Sequence, residues 1–268
     1  MLIDAHAHLD FYTPEDLPRV LAMIRDRGIL TVANSVSLDS WRKTQQVAAL
    51  CDLVIPSFGL HPVWGATDLP STSDLERALE DAPMIGEIGL DYTRATTSER
   101  RAQRRTFEQV LHLARDNEKV VTIHSKGAER DVLESLDRVQ PTRAILHWYQ
   151  GPTDVLQELI DRGAFFSIGF AVLDTPAVRD LVRRLPLPQL LTETDNPAAR
   201  SLRGREAMPD LVCEVVEETA RLKGIEAGTL EEVVEENFRR LVGERLAARV
   251  DRASGNPLQG GSGGLQAR

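Results

Sequence analysis

The sequence predicts an α/β fold, a single (β/α)8 TIM barrel with additional C-terminal helices. Three observations predict it. Short apolar, β-branched segments begin near Leu2, Ile29, Leu53, Met84, Val120, Ala144, Ala164 and Leu190, and eight is the count that closes a parallel barrel. Each is followed by a stretch with helical periodicity, the alternation that βα repeats produce. The chain has 268 residues, 42% of them hydrophobic, which is length enough for one such barrel and apolar material enough for a large core.

The elements follow in chain order. The first strand runs from Leu2-Ile3 into Asp4-Ala5-His6-Ala7-His8. Among the intervening helices, Ser98 to Asp116 carries Phe107, Leu111 and Ala114 at i, i+4 and i+7, one face of a helix. Two strong helices follow the eighth strand. Pro209 suits the first turn of one, Leu211, Val212, Val215, Val216 and Leu222 form its stripe, and Gly224 stops it. The other opens on Thr229-Leu230-Glu231-Glu232, which reads as a capping box, and carries Val233, Val234, Phe238, Leu241 and Val242 on one face. Residues 1–250 therefore read as one barrel domain. Residues 251–268, rich in Gly, Ser and Gln without apolar periodicity, read as a flexible tail.

Composition removes several classes of function. With 32 Lys and Arg against 41 Asp and Glu, the formal charge is −9, which argues against a broad surface that coats nucleic acid, because such affinity rests on cationic side chains. It does not exclude nucleic acid as a substrate. The longest apolar run, Ala164 to Leu173, is about half of what a membrane span needs. The N-terminus, Met1-Leu2-Ile3-Asp4-Ala5-His6, has neither a basic region nor the apolar core of a signal peptide. Cys51 and Cys213 stand far apart with no CxxC spacing. The reading is a cytoplasmic protein with reduced thiols and no membrane partner.

The six histidines carry the chemistry. On a strand, His6 and His8 point to the same side, at the C-terminal end of the first strand, the catalytic face of a barrel. An HxH pair alone reads equally as half a metal site or as two satisfied polar residues. The pattern then repeats. His61 ends the third strand in Gly59-Leu60-His61-Pro62, His124 ends the fifth, His147 ends the sixth, and Asp195 ends the eighth in Glu193-Thr194-Asp195-Asn196-Pro197. Glu87 lies inside the fourth, in Gly86-Glu87-Ile88-Gly89-Leu90-Asp91. A buried strand carboxylate is costly unless it is paired or coordinates a cation. Imidazoles and carboxylates converging from several strands are what a divalent metal requires. His112 falls mid-helix and reads as a surface or packing residue.

In this order the motifs resemble the TatD family of metal-dependent deoxyribonucleases, within the metallo-dependent hydrolase superfamily. The resemblance rests on Asp4-Ala5-His6-Ala7-His8-Leu9, Gly59-Leu60-His61-Pro62, Gly86-Glu87-Ile88-Gly89-Leu90-Asp91, His124-Ser125-Lys126, His147 with Gly151, and Glu193-Thr194-Asp195-Asn196-Pro197. Gln103 with Phe107 on the long helix and Asn237 with Arg240-Leu241 near the end complete it. It implies two divalent ions (Mg, Zn or Mn), the first held by His6, His8 and Asp195, the second by His124 and His147, with Glu87 bridging them. Two cations about 3.5–4 Å apart hold a shared water as hydroxide and offset charge on the attacked group. Catalytic roles then fall to Glu87, to Asp195 as proton acceptor, and to His61 at the scissile phosphate. Asp91 is expected to orient a histidine or to bind substrate. Lys126 and Arg203 are expected to meet phosphate, Lys126 standing where the family more often has arginine.

The segment His147-Trp148-Tyr149-Gln150-Gly151 departs from the usual His-Cys-Phe-Ser-Gly, and the loop after Asp195 is short. Trp148 and Tyr149 are expected to stack single-stranded bases. Both features are similar to a divergent branch associated with the Qat anti-phage system, which implies partner proteins. The sequence reading is a deoxyribonuclease acting on single-stranded DNA ends. The competing readings are an ester or amide hydrolase of deacylase or amidohydrolase type on the same binuclear centre, and a non-catalytic subunit of a defence complex.

Overall fold

The computed structural model describes residues 1–64, 70–197, 206, 208–244, 246 and 250–251. Among these, eight parallel strands form one sheet in sequence order. They are β1 (Leu2–Ala7), β2 (Ile29–Asn34), β3 (Val54–Phe58), β4 (Met84–Gly89), β5 (Val120–His124), β6 (Arg143–His147), β7 (Phe165–Ile168) and β8 (Leu190–Thr192). Each starts within one residue of the position read from the sequence. Leu2 sits opposite Ile29, Thr31 opposite Val54, Val121 opposite Ala144 and Phe166 opposite Leu190. The sheet closes between its ends: the Asp195 N–H donates to His6 O (2.9 Å), the His8 N–H to Asn196 O (2.7 Å), and the Thr192 hydroxyl to Ile3 O (2.6 Å). This is a (β/α)8 barrel.

The strands are buried because a barrel leaves neither face of the sheet in water. Side chains fill the inside and helices cover the outside. Every residue of β2 and β4 is accordingly buried. The covering helices are α1 (Leu17–Arg27), α2 (Leu38–Ala49), α3 (Thr72–Asp81), α4 (Thr97–Asp116), α5 (Glu129–Val139), α6 (Thr153–Asp161) and α7 (Pro176–Arg184). Local chemistry sets their ends. The Ser37 and Ser71 side chains accept the N–H groups of Ser40 and Asp74 at the starts of α2 and α3. Gly28, with φ 63°, supplies the left-handed turn that ends α1. Phe107, Leu111 and Ala114 are buried as the helical spacing of α4 requires, and His112 is exposed.

Two expectations about helix starts are corrected. The capping box lies at Thr96 and Glu99, ahead of α4, and not at Thr229. Helix α9 (Ala227–Val242) begins two residues before Thr229, its first turn closed by the Leu230 N–H on Glu226 O (3.1 Å). A box inside a helix has no orphan N–H to satisfy. Pro209 likewise precedes α8 (Leu211–Lys223), in the turn before its Asp210 cap, while Gly224 ends that helix at φ 70° as expected. Helix α9 fastens the N-terminal ends of the strands. Asn237 donates to Leu187 O (2.7 Å) and Leu190 O (2.9 Å) at the start of β8. Glu235 pairs with the Met1 amino group at 2.8 Å, and Leu241 O accepts from Arg143 at the start of β6. The opposite ends of the strands are left to the functional residues. Cys51 and Cys213 are both free. No described helix is long and apolar enough to cross a membrane.

Candidate metal centre

β1 carries Asp4 and His6, His8 follows its last residue, and all three are buried. Asp4 acts inside the protein: its Oδ1 accepts the Thr194 N–H (2.9 Å) and its Oδ2 the Thr194 hydroxyl (2.7 Å). Burial, only partly offset by those bonds, lifts the Asp4 carboxyl to about 7. Asp4 thereby ties the chain after β8 to β1 and sets Asp195 beside the histidines. Asp195 sits in left-handed backbone (φ 54°), a conformation uncommon outside glycine and held by its surroundings.

The histidine tautomers follow from their partners. His8 Nδ1 lies 3.0 Å from the Asn34 carbonyl, which can only accept, so Nδ1 carries the proton and Nε2 presents a lone pair. That Nε2 lies 3.2 Å from His6 Nε2, 3.3 Å from Glu87 Oε2 and 3.4 Å from Asp195 Oδ1. His6 Nε2 is itself 3.5 Å from Glu87 Oε2 and 3.7 Å from Asp195 Oδ1. Four electron-rich atoms converge in a buried space, and such a set needs a cation or a proton at its middle. A proton does part of this in the metal-free protein. Burial works against charge on His8, but the carboxylates of Asp195 and Glu87 outweigh it and raise its pKa well above the ordinary value. His6, equally buried and beside His147, is lowered to about 3 and stays neutral.

Glu87 turns its other oxygen toward a second set. Oε1 is 2.7 Å from His124 Nδ1, 3.6 Å from His61 Nε2 and 3.9 Å from His147 Nε2. Burial opposes its ionisation, but His61 and hydrogen bonds from His124, His6 and His8 hold it well below the usual carboxylate range. Asp195 is lowered for the same kind of reason, His8, His147 and His6 outweighing burial. Three of the four ligand-type histidines have the remote nitrogen fixed by an acceptor, His8 by the Asn34 carbonyl and two more by carboxylates, whereas His6 Nδ1 is buried without a hydrogen-bond partner. His124 Nε2 meets Asp91 Oδ2 at 3.2 Å, and His147 Nδ1 meets Glu193 Oε2 at 2.8 Å. That carboxylate–histidine arrangement is how proteins aim an imidazole at a metal. Burial disfavours charge on His124, yet Asp91 and Glu87 raise it to about 9. The His6 and His147 rings stack at 3.6 Å, 10° from parallel. Among the described residues, three groupings have donor atoms within 4.8 Å of one another: His6, His8 and Glu87; His6, His147 and Asp195; and His61, Glu87 and His124.

His61 differs from the others. Its Nδ1 accepts the Val63 N–H at 3.1 Å, so Nε2 bears the proton and faces the site as a donor. Burial lowers it to about 4, so it is neutral at pH 7. A neutral imidazole protonated at Nε2 offers no lone pair there, which takes His61 out of the ligand set despite its proximity.

The remaining expected residues separate. Asp91 Oδ1 accepts the N–H and hydroxyl of Thr93, and the Asp91 N–H donates to Gln103 Oε1 on α4 (3.0 Å). Asp91 is thus a holder of His124, and that bond keeps its carboxyl well below the usual range. Lys126 and half-buried Trp148 line the mouth, with Glu129 and Gln150. Tyr149 does not. It is 2% exposed, its hydroxyl donates to Pro152 O (2.8 Å), and its ring meets Phe166 edge-on at 5.8 Å. A ring packed into the barrel wall offers no face to a base, so Tyr149 leaves the substrate-contact set. Arg203 lies outside the described residues.

Sequence reasoning gave no role to Glu193, Asp4, Phe11 or Trp64. Glu193 had a readable signal, a carboxylate two residues before Asp195 in a buried strand end. Phe11 and Trp64, which also line the mouth, had none.

The family model for "TatD related DNase" matches residues 3–243 of this chain. The chain belongs to the TatD family. The putative deoxyribonuclease tatdn3 of Danio rerio is 30% identical over 257 residues, covering 89% of this chain and 96% of its own length. The uncharacterised metal-dependent hydrolase YcfH of Escherichia coli K12 is 31% identical over 253 residues, covering 90% and 95%. The crystal structure of YjjV, a TatD homologue from E. coli K12, superposes with a TM-score of 0.81 at 22% identity, covering 90% of this chain and 97% of that one. This TatD-family chain is accordingly a metal-dependent hydrolase of ester bonds, and its donor atoms suit a metal ion.

One test of the site concerns Glu193. Glu193→Ala leaves His147 Nδ1 unpaired and its ring free to turn. Metal affinity is expected to fall about 10- to 100-fold, read by chelator competition. Affinity equal to that of the wild type would remove Glu193 from the site.

Proposed function

We propose that this chain is a deoxyribonuclease that hydrolyses phosphodiester bonds at the ends of single-stranded DNA, with two divalent ions. The observation that carries the reading is the placement of Glu87: one carboxylate oxygen faces His6 and His8 beside Asp195, the other faces His124 and His147. The relationship to a putative deoxyribonuclease supports DNA as the substrate class. Six residues would hold the ions, His6, His8 and Asp195 on one side, His124 and His147 on the other, with Glu87 between. The imidazoles suit Zn or Mn, and the carboxylates also admit Mg. Bound there, the ions supply Lewis acidity, which lowers the pKa of water and offsets charge on the phosphoryl group.

The chain's own residues do the rest. His61 directs its Nε2–H into the site as a hydrogen-bond donor for a phosphoryl oxygen, in a buried setting where such a bond is strengthened. Asp195, held anionic by His8, is placed to take the proton of the attacking water and return it to the leaving oxygen. Lys126 at the mouth meets the neighbouring phosphate as a point charge. The resemblance of the His147-Trp148-Tyr149-Gln150-Gly151 segment extends the proposal to a cytoplasmic anti-phage role with partner proteins.

The deciding experiment strips the protein with EDTA and adds Mg, Mn or Zn to end-labelled single-stranded DNA, duplex DNA and RNA. Stepwise shortening of the single strand, restored by a divalent ion, is expected. Failure to cleave any nucleic acid with any ion would overturn the reading in favour of ester or amide hydrolysis.

A further inference from the structure

Among the described residues, four large apolar side chains are exposed: Phe11 at 37%, Leu50 at 59%, Val63 at 51% and Trp64 at 57%. Phe11 and Trp64 line the mouth of the metal centre, and Val63 lines the cleft beside it. Leu50, at the end of α2, alone lies elsewhere. Exposed apolar surface is therefore concentrated where an anion is to be processed. Concentrated apolar surface beside a polar site marks something that binds there.

The two rings are fixed by the site itself. Phe11 stacks on His8, centroids 5.0 Å apart and planes 16° from parallel. Trp64 stacks on His61 at 4.5 Å and 27°. The two meet edge to face at 5.9 Å and 73°. Each aromatic thus rests on a histidine of the centre, one a ligand-type residue and the other the proposed phosphate donor, and keeps surface open to solvent. A planar group held against either ring would sit next to the bond being broken.

Among the described residues that line the mouth, side-chain charge adds little to what the proposed ions would offer a polyanion. Lys126 is accompanied by Glu129, and the whole chain carries −9. Attraction that the phosphates do not supply has to come from the rest of the nucleotide. Base–aromatic stacking supplies it, and only an unpaired base has a free face to offer.

We propose that Phe11 and Trp64 form a nucleobase platform that holds the base adjacent to the scissile phosphate and so selects single strands over duplex. The proposal rests on the nuclease reading above and adds to it the group that recognises the substrate. Trp148, half-buried and in edge contact with His147 and Phe170, is left as a wall of the site.

The test pairs variants with abasic substrates. An abasic residue is placed in turn at each of the terminal positions of an end-labelled single-stranded oligonucleotide. At one position the wild type is expected to lose roughly ten- to a hundredfold in kcat/KM. Trp64→Ala should turn over the intact and abasic oligonucleotides alike, and Trp64→Phe should restore most of the preference. Equal losses on both substrates in Trp64→Ala, or no loss on either, would overturn the platform. A second readout needs neither metal nor turnover. In EDTA, a single-stranded oligonucleotide should quench tryptophan fluorescence in the wild type and far less in Trp64→Phe, with the abasic oligonucleotide the weaker quencher. Quenching that is the same in both proteins would also overturn it. A chain that cleaves no nucleic acid yet shows this quenching would sink the nuclease reading while retaining the platform.

Discussion

Glu87→Gln is expected to lower turnover on the order of a thousandfold and to leave the protein with at most half of its bound metal. Glutamine nearly matches the shape of the side chain, so packing in β4 survives. The charge does not, and neither does the ability of two anionic oxygens to serve two donor sets at once. Those sets lie on opposite oxygens, with His6 and His8 at 3.5 and 3.3 Å from Oε2 and His124 at 2.7 Å from Oε1. Glu87→Asp separates charge from reach. It keeps the anion but withdraws it by one methylene, and is expected to retain metal on one side while turning over slowly. Metal per chain by atomic emission, beside kcat on a single-stranded oligonucleotide, checks both variants. Full metal content and wild-type kcat in Glu87→Gln would remove Glu87 from the centre.

Most of this centre was legible because barrels translate sequence position into spatial position. A residue at the C-terminal end of any strand arrives at the same mouth, so finding eight strand starts was enough to gather His6, His8, Glu87, His124, His147 and Asp195 in one cluster. Alternation along β1 paired the two histidines, but neither the burial of Asp4 nor its grip on Thr194 was read from it. Tyr149 shows where a place just past a strand end is not enough. Trp148 adopts φ 41°, and a left-handed residue breaks the period of two, so Tyr149 packs against Phe166. Nothing in the identity of Trp148 announces that turn. The aromatics at the mouth failed for a different reason. Phe11 follows His8 by three residues and Trp64 follows His61 by three, but only the fold brings these two distant pairs together, edge to face at 5.9 Å. The helix starts erred because Thr229-Leu230-Glu231-Glu232 satisfies the local pattern of a cap, while tertiary packing after Gly224 had already begun the helix at Ala227.

Gly89→Ala is expected to destabilise the fold by about 3–5 kcal/mol, or roughly 10 °C in Tm, and to impair metal binding with it. Gly89 closes β4 at φ 144°, a conformation that L side chains rarely adopt, and a Cβ placed there would stand 2.0 Å from His124 O and 2.9 Å from His124 N. Those atoms belong to backbone that cannot turn aside, since His124 O also accepts the Leu90 N–H at 2.9 Å. Relief requires β4 and β5 to part where Glu87 and His124 meet. Gly28→Ala provides the contrast. It too has positive φ, 63°, but nothing lies within 4 Å of its added Cβ. Its cost should be limited to the left-handed backbone, about 1 kcal/mol, with metal affinity unchanged. Thermal melting with and without a divalent ion separates the two. A Gly89→Ala protein that melts with Gly28→Ala and binds metal like the wild type would mean that this close approach is not what sets the Glu87–His124 distance. If instead stability and metal binding fall together, the glycine that lets β4 and β5 touch is also what brings a carboxylate from one strand to a histidine from the next.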